Sequence, residues 1–130
     1  MAAVTPAGPV VVVVDDDDSL RDAMTRLLDA AGYQPDAYES AESLLAAGLR
    51  LDAACVVTDL KLPGMTGLDL VEALEARGAC VPVVLITAHD SPGMADVARQ
   101  RGAAGYIAKP FRGTLLLQTI RTVLGRPKVG

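Results

Sequence analysis

Val10-Val11-Val12-Val13-Val14-Asp15-Asp16-Asp17-Asp18 is the stretch that decides the architecture. Five β-branched residues in a row, none polar, suit a strand buried on both faces, the mark of a parallel sheet with helices on each side. The run stops at four carboxylates. Beyond them the apolar residues take a helical rhythm, Leu20, Ala23, Met24, Leu27, Leu28 and Ala31, with Gly32 suited to a left-handed end. The alternation continues along the chain. Tyr33–Tyr38 reads as a polar edge strand, and Ser40 caps a short helix ending near Gly48. Ala53–Thr58 is a second buried strand, followed by Asp59, a loop holding Pro63 and Gly64, and a helix from Gly67 to about Gly78. Val81–Ile86 is a third, ended by Thr87, with a polar helix over Ser91–Arg101. Tyr106–Ala108 is short, and Lys109-Pro110 leads into a last helix bearing Leu115, Leu116, Thr119, Ile120, Val123 and Leu124. Five strands alternating with five helices predict an α/β, doubly wound parallel sheet.

Composition bounds the rest. With 130 residues, 51% hydrophobic and 22% charged, the chain is the size of one domain and can bury a core. Aromatics are 3% and Trp is absent, so that core is built from Val, Leu, Ile and Ala. A net charge of −4 argues against direct nucleic-acid binding by this domain. No apolar run reaches the ~20 residues of a membrane span. Met1–Pro9 lacks the features of a secretory signal and reads as a flexible N-terminal tail. The domain is expected over residues 10–124, with 125–130 a C-terminal tail or the start of a linker. Cys55 and Cys80 read as buried thiols of a cytoplasmic protein.

In an open parallel sheet, ligands bind beyond the carboxyl ends of the strands. Here those ends carry the Asp15–Asp18 run, Asp59, Thr87 and Lys109. Each alone has a structural reading: an Asp run can cap a helix, an Asp can open a loop, a Thr favours strands, a Lys is usually solvated. Together on one edge they suit phosphoryl handling with a hard cation. Clustered carboxylates are oxygen ligands for Mg²⁺. A carboxylate can become an acyl phosphate, while a Lys and a hydroxyl hold phosphoryl oxygens.

The sequence resembles the receiver domain of bacterial two-component response regulators. The resemblance rests on Val11–Asp17 with Arg21, on Val56-Val57-Thr58-Asp59-Leu60-Lys61-Leu62-Pro63-Gly64-Met65-Thr66-Gly67, on Val83–Ala88, and on Gly105-Tyr106-Ile107-Ala108-Lys109-Pro110-Phe111. The wording around Asp59 leans toward regulators of the nitrogen-fixation type, which carry DNA-binding outputs. The resemblance implies a flavodoxin-like sheet of order 2-1-3-4-5. It implies Asp59 as phosphoacceptor, assisted by Thr87 and Lys109. Asp15, Asp16, Asp59 and the backbone carbonyl of Lys61 would hold Mg²⁺, with Arg21 favouring 15 and 16 over 17 and 18. Thr87 and Tyr106 would form the switch, and Lys109-Pro110 would be a cis peptide. His89, the one histidine, reads as a solvated loop residue.

The implied partner is a sensor histidine kinase. Phosphorylation would reshape the surface of the fourth helix, last strand and last helix and favour a homodimer there, with Val97, Leu116 and Ile120 beside Arg99, Arg101 and Arg121. It would act through an output domain or partner, transcriptional regulation among the outcomes. Apart from its own phosphorylation and dephosphorylation the domain is not expected to be an enzyme. Two other readings compete. Asp15 and Asp17 also resemble the nucleophile and acid of haloacid-dehalogenase-type phosphatases, but nothing after Asp96 is acidic and Asp59 has no role there. A non-phosphorylated dimerisation module would not need the full residue set.

Overall fold

A computed structural model describes residues 8–50 and 52–125. The expected tails fall mostly on residues 1–7 and 126–130, which lie outside the described residues. The elements run β1 Val10–Val14, α1 Asp18–Ala30, β2 Gln34–Tyr38, α2 Ala41–Ala47, β3 Ala53–Asp59, α3 Gly67–Ala76, β4 Val83–Thr87, α4 Met94–Gln100, β5 Gly105–Ala108 and α5 Gly113–Leu124. All strand pairs are parallel, and the sheet order is β2-β1-β3-β4-β5.

β1 shows why the valine run works. Successive side chains point to opposite faces. Val11 and Val13 join Met24, Leu28, Leu116 and Ile120 of α1 and α5, while Val12 and Val14 join Leu44, Leu70 and Leu74 of α2 and α3. Both faces are therefore packed, and the inner strands β1, β3 and β4 are buried through their centres. Complete burial of one such Leu contributes roughly 1.5–3 kcal/mol. β2, at the edge, is only half-buried, as its polar sequence predicts.

Several boundaries differ from expectation by one to three residues, and three of them have a local cause. β4 begins at Val83, not Val81, because Pro82 has no N–H for the ladder; its carbonyl instead accepts from Val56 N at 2.9 Å. β3 extends through Asp59, since Leu60 N donates to Ile86 O at 2.7 Å and keeps the strand paired to its end. α4 begins at Met94 rather than Ser91: Gly93 takes φ 82° and turns the chain first. Two burial expectations are also corrected. Cys80 follows α3 in a loop and is exposed, unlike Cys55. Leu116 and Ile120 are fully buried under the α1–α5 side and cannot be surface residues.

The register sets up the site. Val14 is level with Thr58, Asp59 with Ile86, and Thr87 with Ala108. Asp15, Asp59, Thr87 and Lys109 therefore end their strands within about one residue of a common edge.

Candidate functional site

The four-Asp run divides into distinct tasks. Asp15 is fully buried, with its Oδ1 accepting from Asp17 N at 2.9 Å. Arg21 Nη1 donates to the Asp15 carbonyl at 2.8 Å and Nη2 to Asp18 Oδ1 at 2.5 Å, which ties the turn to the first helical turn. Asp17 is the N-cap of α1: its Oδ1 accepts from Ser19 N at 3.0 Å and Leu20 N at 3.2 Å. Asp16 is exposed, and its carboxylate joins those of Asp15 and Asp59 in a group whose ligand oxygens all lie within 4.8 Å of one another. The structure thus separates 15 and 16 from 17 and 18 by their surroundings. It also leaves the phosphatase reading without its acid, because Asp17 is spent on the cap.

Asp59 closes the cluster from β3 with 8% of its surface exposed. Its Oδ1 accepts from Lys61 N at 3.0 Å, and its Oδ2 accepts from Lys109 Nζ at 2.8 Å. The same ammonium lies 3.6 Å from Asp15 Oδ2. Lys109 is placed by β5, whose ladder continues through Lys109 N to Thr87 O at 2.7 Å, and by the cis Lys109–Pro110 bond that follows. Thr87 is fully buried, and its Oγ1 accepts from His89 N at 3.0 Å. His89 itself is exposed.

Three carboxylates against one close ammonium leave an imbalance of negative charge. Burial raises the Asp15 carboxyl above the usual range; the Asp17 N–H and Lys109 pull it back, and Asp59 and Asp16 push it further up. Burial pulls the Lys109 ammonium down, but its hydrogen bond to Asp59 and the charges of Asp15 and Asp59 outweigh that, so its net shift is upward. Asp15 Oδ2 is buried with no hydrogen-bond partner. A buried carboxylate oxygen left so, facing two more carboxylates, fits an oxygen-seeking divalent cation.

Sequence reading missed two contributors. Glu42, in the first turn of α2, accepts from Met65 N at 3.1 Å and so steadies the loop after Asp59. Its carboxylate lies where a Cβ on Gly64 would stand, and Gly64 has φ 77°. Asp90, in the loop after β4, accepts from Tyr106 Oη at 2.8 Å. Neither lies near its partner in sequence, and neither spacing carries a signal. Gly67 was legible as a helix start, but its purpose is spatial: a Cβ there would come within 2.6 Å of the Asp59 carbonyl oxygen.

Residues 11–121 match the pattern described as the response regulator receiver domain, and the chain belongs to that family. The chain is 39% identical over 121 residues to the transcriptional regulatory protein FixJ of Azorhizobium caulinodans, covering 93% of this chain and 57% of that protein. It is 41% identical over 116 residues to the C4-dicarboxylate transport transcriptional regulatory protein DctD of Rhizobium meliloti, covering 88% of this chain and 25% of that protein. The crystal structure of FixJ-N superimposes with a TM-score of 0.80 at 31% identity, covering 91% and 94% of the two chains. This chain therefore spans between a quarter and somewhat over half of those curated regulators.

Proposed function

We propose that this domain is a phosphorylation switch in which Asp59 accepts a phosphoryl group from a sensor histidine kinase. The observation that carries the reading is the ammonium of Lys109 held between Asp59 Oδ2 at 2.8 Å and Asp15 Oδ2 at 3.6 Å, the latter a buried carboxylate oxygen that accepts no hydrogen bond. Asp15, Asp16, Asp59 and the Lys61 carbonyl would hold Mg²⁺, which would neutralise the charge that a dianionic phosphoryl group brings to three carboxylates.

Asp59 attacks phosphorus through a carboxylate oxygen, and the phosphoryl group's former bond breaks toward the donor, histidine or acetate. The Lys61 N–H holds Oδ1 and Lys109 holds Oδ2, so the carboxylate is oriented before the donor arrives. Lys109 then serves the new phosphoryl oxygens as a point charge. Thr87 turns its hydroxyl from accepting at His89 N to donating to the phosphoryl group. Tyr106, half-buried against the α2–α4 side of the core, moves into the space this opens. The two packings differ by the contacts that Thr87 gains, and the phosphoryl group shifts their populations.

The surface that changes is α4, β5 and α5. Val97 and Leu115, 43% and 45% exposed, supply apolar area there, beside Arg99 and Arg121. A phosphorylation-dependent homodimer through this face, and an output domain or partner acting on transcription as in FixJ and DctD, complete the reading. No described helix is long and apolar enough to cross a membrane, in keeping with a cytoplasmic site of action.

Radiolabelled acetyl phosphate tests this. Label should appear only with Mg²⁺, be released by hydroxylamine, and vanish in Asp59→Asn. Label retained in Asp59→Asn but lost in Asp15→Asn would transfer the role to the phosphatase-type aspartate.

A further inference from the structure

We propose that Asp90 is a positioning residue that sets the resting balance of the switch, by holding the Tyr106 hydroxyl in the unphosphorylated packing. The inference rests on the Thr87–Tyr106 reading above and adds to it a side chain that neither the sequence pattern nor the phosphate site requires. Tyr106 Oη donates to Asp90 Oδ1 at 2.8 Å, across sixteen residues of chain. The ring packs on the core of the α2–α4 side, while its hydroxyl lies at the surface on an exposed carboxylate. For Tyr106 to fill space behind Thr87, this bond must break. Asp90 therefore stabilises one packing and not the other, which is what a residue needs to move a two-state balance.

The location makes one bond count. Asp90 sits between Thr87, which reads the phosphoryl group, and α4, which belongs to the responding surface. Residues 88–93 are all exposed. α4 is seven residues long, has no side-chain cap at Gly93, and buries only Ala98. A segment with so few buried contacts lies at the low-stability end of the fold. Beyond it, Arg101 pairs with Glu72 of α3, so the far end of α4 is anchored while the near end depends on the loop holding Asp90. The Tyr106–Asp90 bond thus joins β5 to the loop that precedes α4, and releasing it frees ring and loop together.

The test compares wild type, Asp90→Ala, Tyr106→Phe and the double variant by titrating beryllofluoride in saturating Mg²⁺, with Thr87→Ala alongside. A ligand that favours the active packing binds more tightly when the resting packing loses a bond. Asp90→Ala should tighten apparent affinity by about three- to tenfold, the value of one hydrogen bond. Tyr106→Phe should match it, and the double variant should gain nothing further. Asp90→Asn, whose amide oxygen still accepts, should restore most of the wild-type affinity. Tyrosine ¹³Cζ NMR should show the Tyr106 signal of Asp90→Ala moved toward its beryllofluoride-bound position before any ligand is added. Unchanged affinity in Asp90→Ala, with a Tyr106 signal that still responds to beryllofluoride through Thr87, would overturn the Asp90 assignment alone. A Tyr106 signal unmoved by beryllofluoride in wild type would overturn the switch reading and this assignment with it.

Discussion

Asp15 is the residue at which stability and the proposed cation site oppose each other. It is fully buried, its Oδ2 has no hydrogen-bond partner, and its carboxyl is raised by burial and by its acidic neighbours. An ionised Asp15 therefore costs the unliganded fold some stability at neutral pH, and a bound cation removes that cost. Asp15→Asn should raise the metal-free melting temperature by about 3–5 °C, the shift that roughly 1 kcal/mol produces in a domain of this size. Mg²⁺ should raise the melting temperature of wild type, and the same variant should lose that rise. Differential scanning fluorimetry with and without Mg²⁺ reads both effects, and a metal-free Asp15→Asn that melts lower than wild type would refute the first. Gly67 shows the converse case, a residue chosen for what it lacks. A methyl group 2.6 Å from the Asp59 carbonyl oxygen and 2.9 Å from Leu85 would have to push β3 or α3 aside. Gly67→Ala should therefore lower the melting temperature and slow acetyl-phosphate labelling together, whereas Gly78→Ala, with open space around it but φ 75°, should affect stability alone.

At the scale of elements, α1 offers a clean separation of roles within Asp15–Asp18. Asp17 caps the helix through Ser19 N and Leu20 N and lies outside the carboxylate cluster. Asp17→Ala should cost about 1 kcal/mol of stability and leave the Mg²⁺-dependent melting shift intact. Asp16→Ala should do the reverse. Denaturant unfolding with and without Mg²⁺ distinguishes them, and a lost Mg²⁺ shift in Asp17→Ala would put the metal elsewhere. This division explains how much could be read in the sequence. Strand identity was legible because Val10–Val14 and Val83–Ile86 are apolar on both faces, and register then places their carboxyl ends together. That Asp15, Asp59, Thr87 and Lys109 meet at one edge was legible because each lies at or just past a strand's carboxyl end. Glu42 and Asp90 were not, because their partners, Met65 N and Tyr106, lie 23 and 16 residues away with no periodic relation. Burial on α5 was misjudged at Leu116 and Ile120 because an amphipathic pattern shows that a helix has an apolar side, not which neighbour covers it.

Across the whole molecule, charge at the strand ends ties stability to pH. The folded Lys109 ammonium holds its proton above the ordinary lysine value, and Tyr106 is pushed up to about 12 by burial and by Asp90. Both groups are raised on folding, so the folded state keeps protons that the unfolded chain gives up. The stability linked to them is complete below about pH 10 and is lost as pH climbs through the folded values. Melting temperature should fall between about pH 10 and 12, and Lys109→Met should flatten that decline; an equally steep decline in Lys109→Met would contradict the linkage. The same residues carry the long-range claim, that a phosphoryl group on Asp59 is felt on the α4–β5–α5 face through Thr87. Backbone amide NMR over residues 88–110, with and without beryllofluoride and Mg²⁺, tests it most directly. Wild type should show shifts reaching Asp90, α4 and Tyr106, while Thr87→Ala should still bind the mimic at Asp59 with shifts confined to the strand ends. Equal, far-reaching shifts in both proteins would contradict the account.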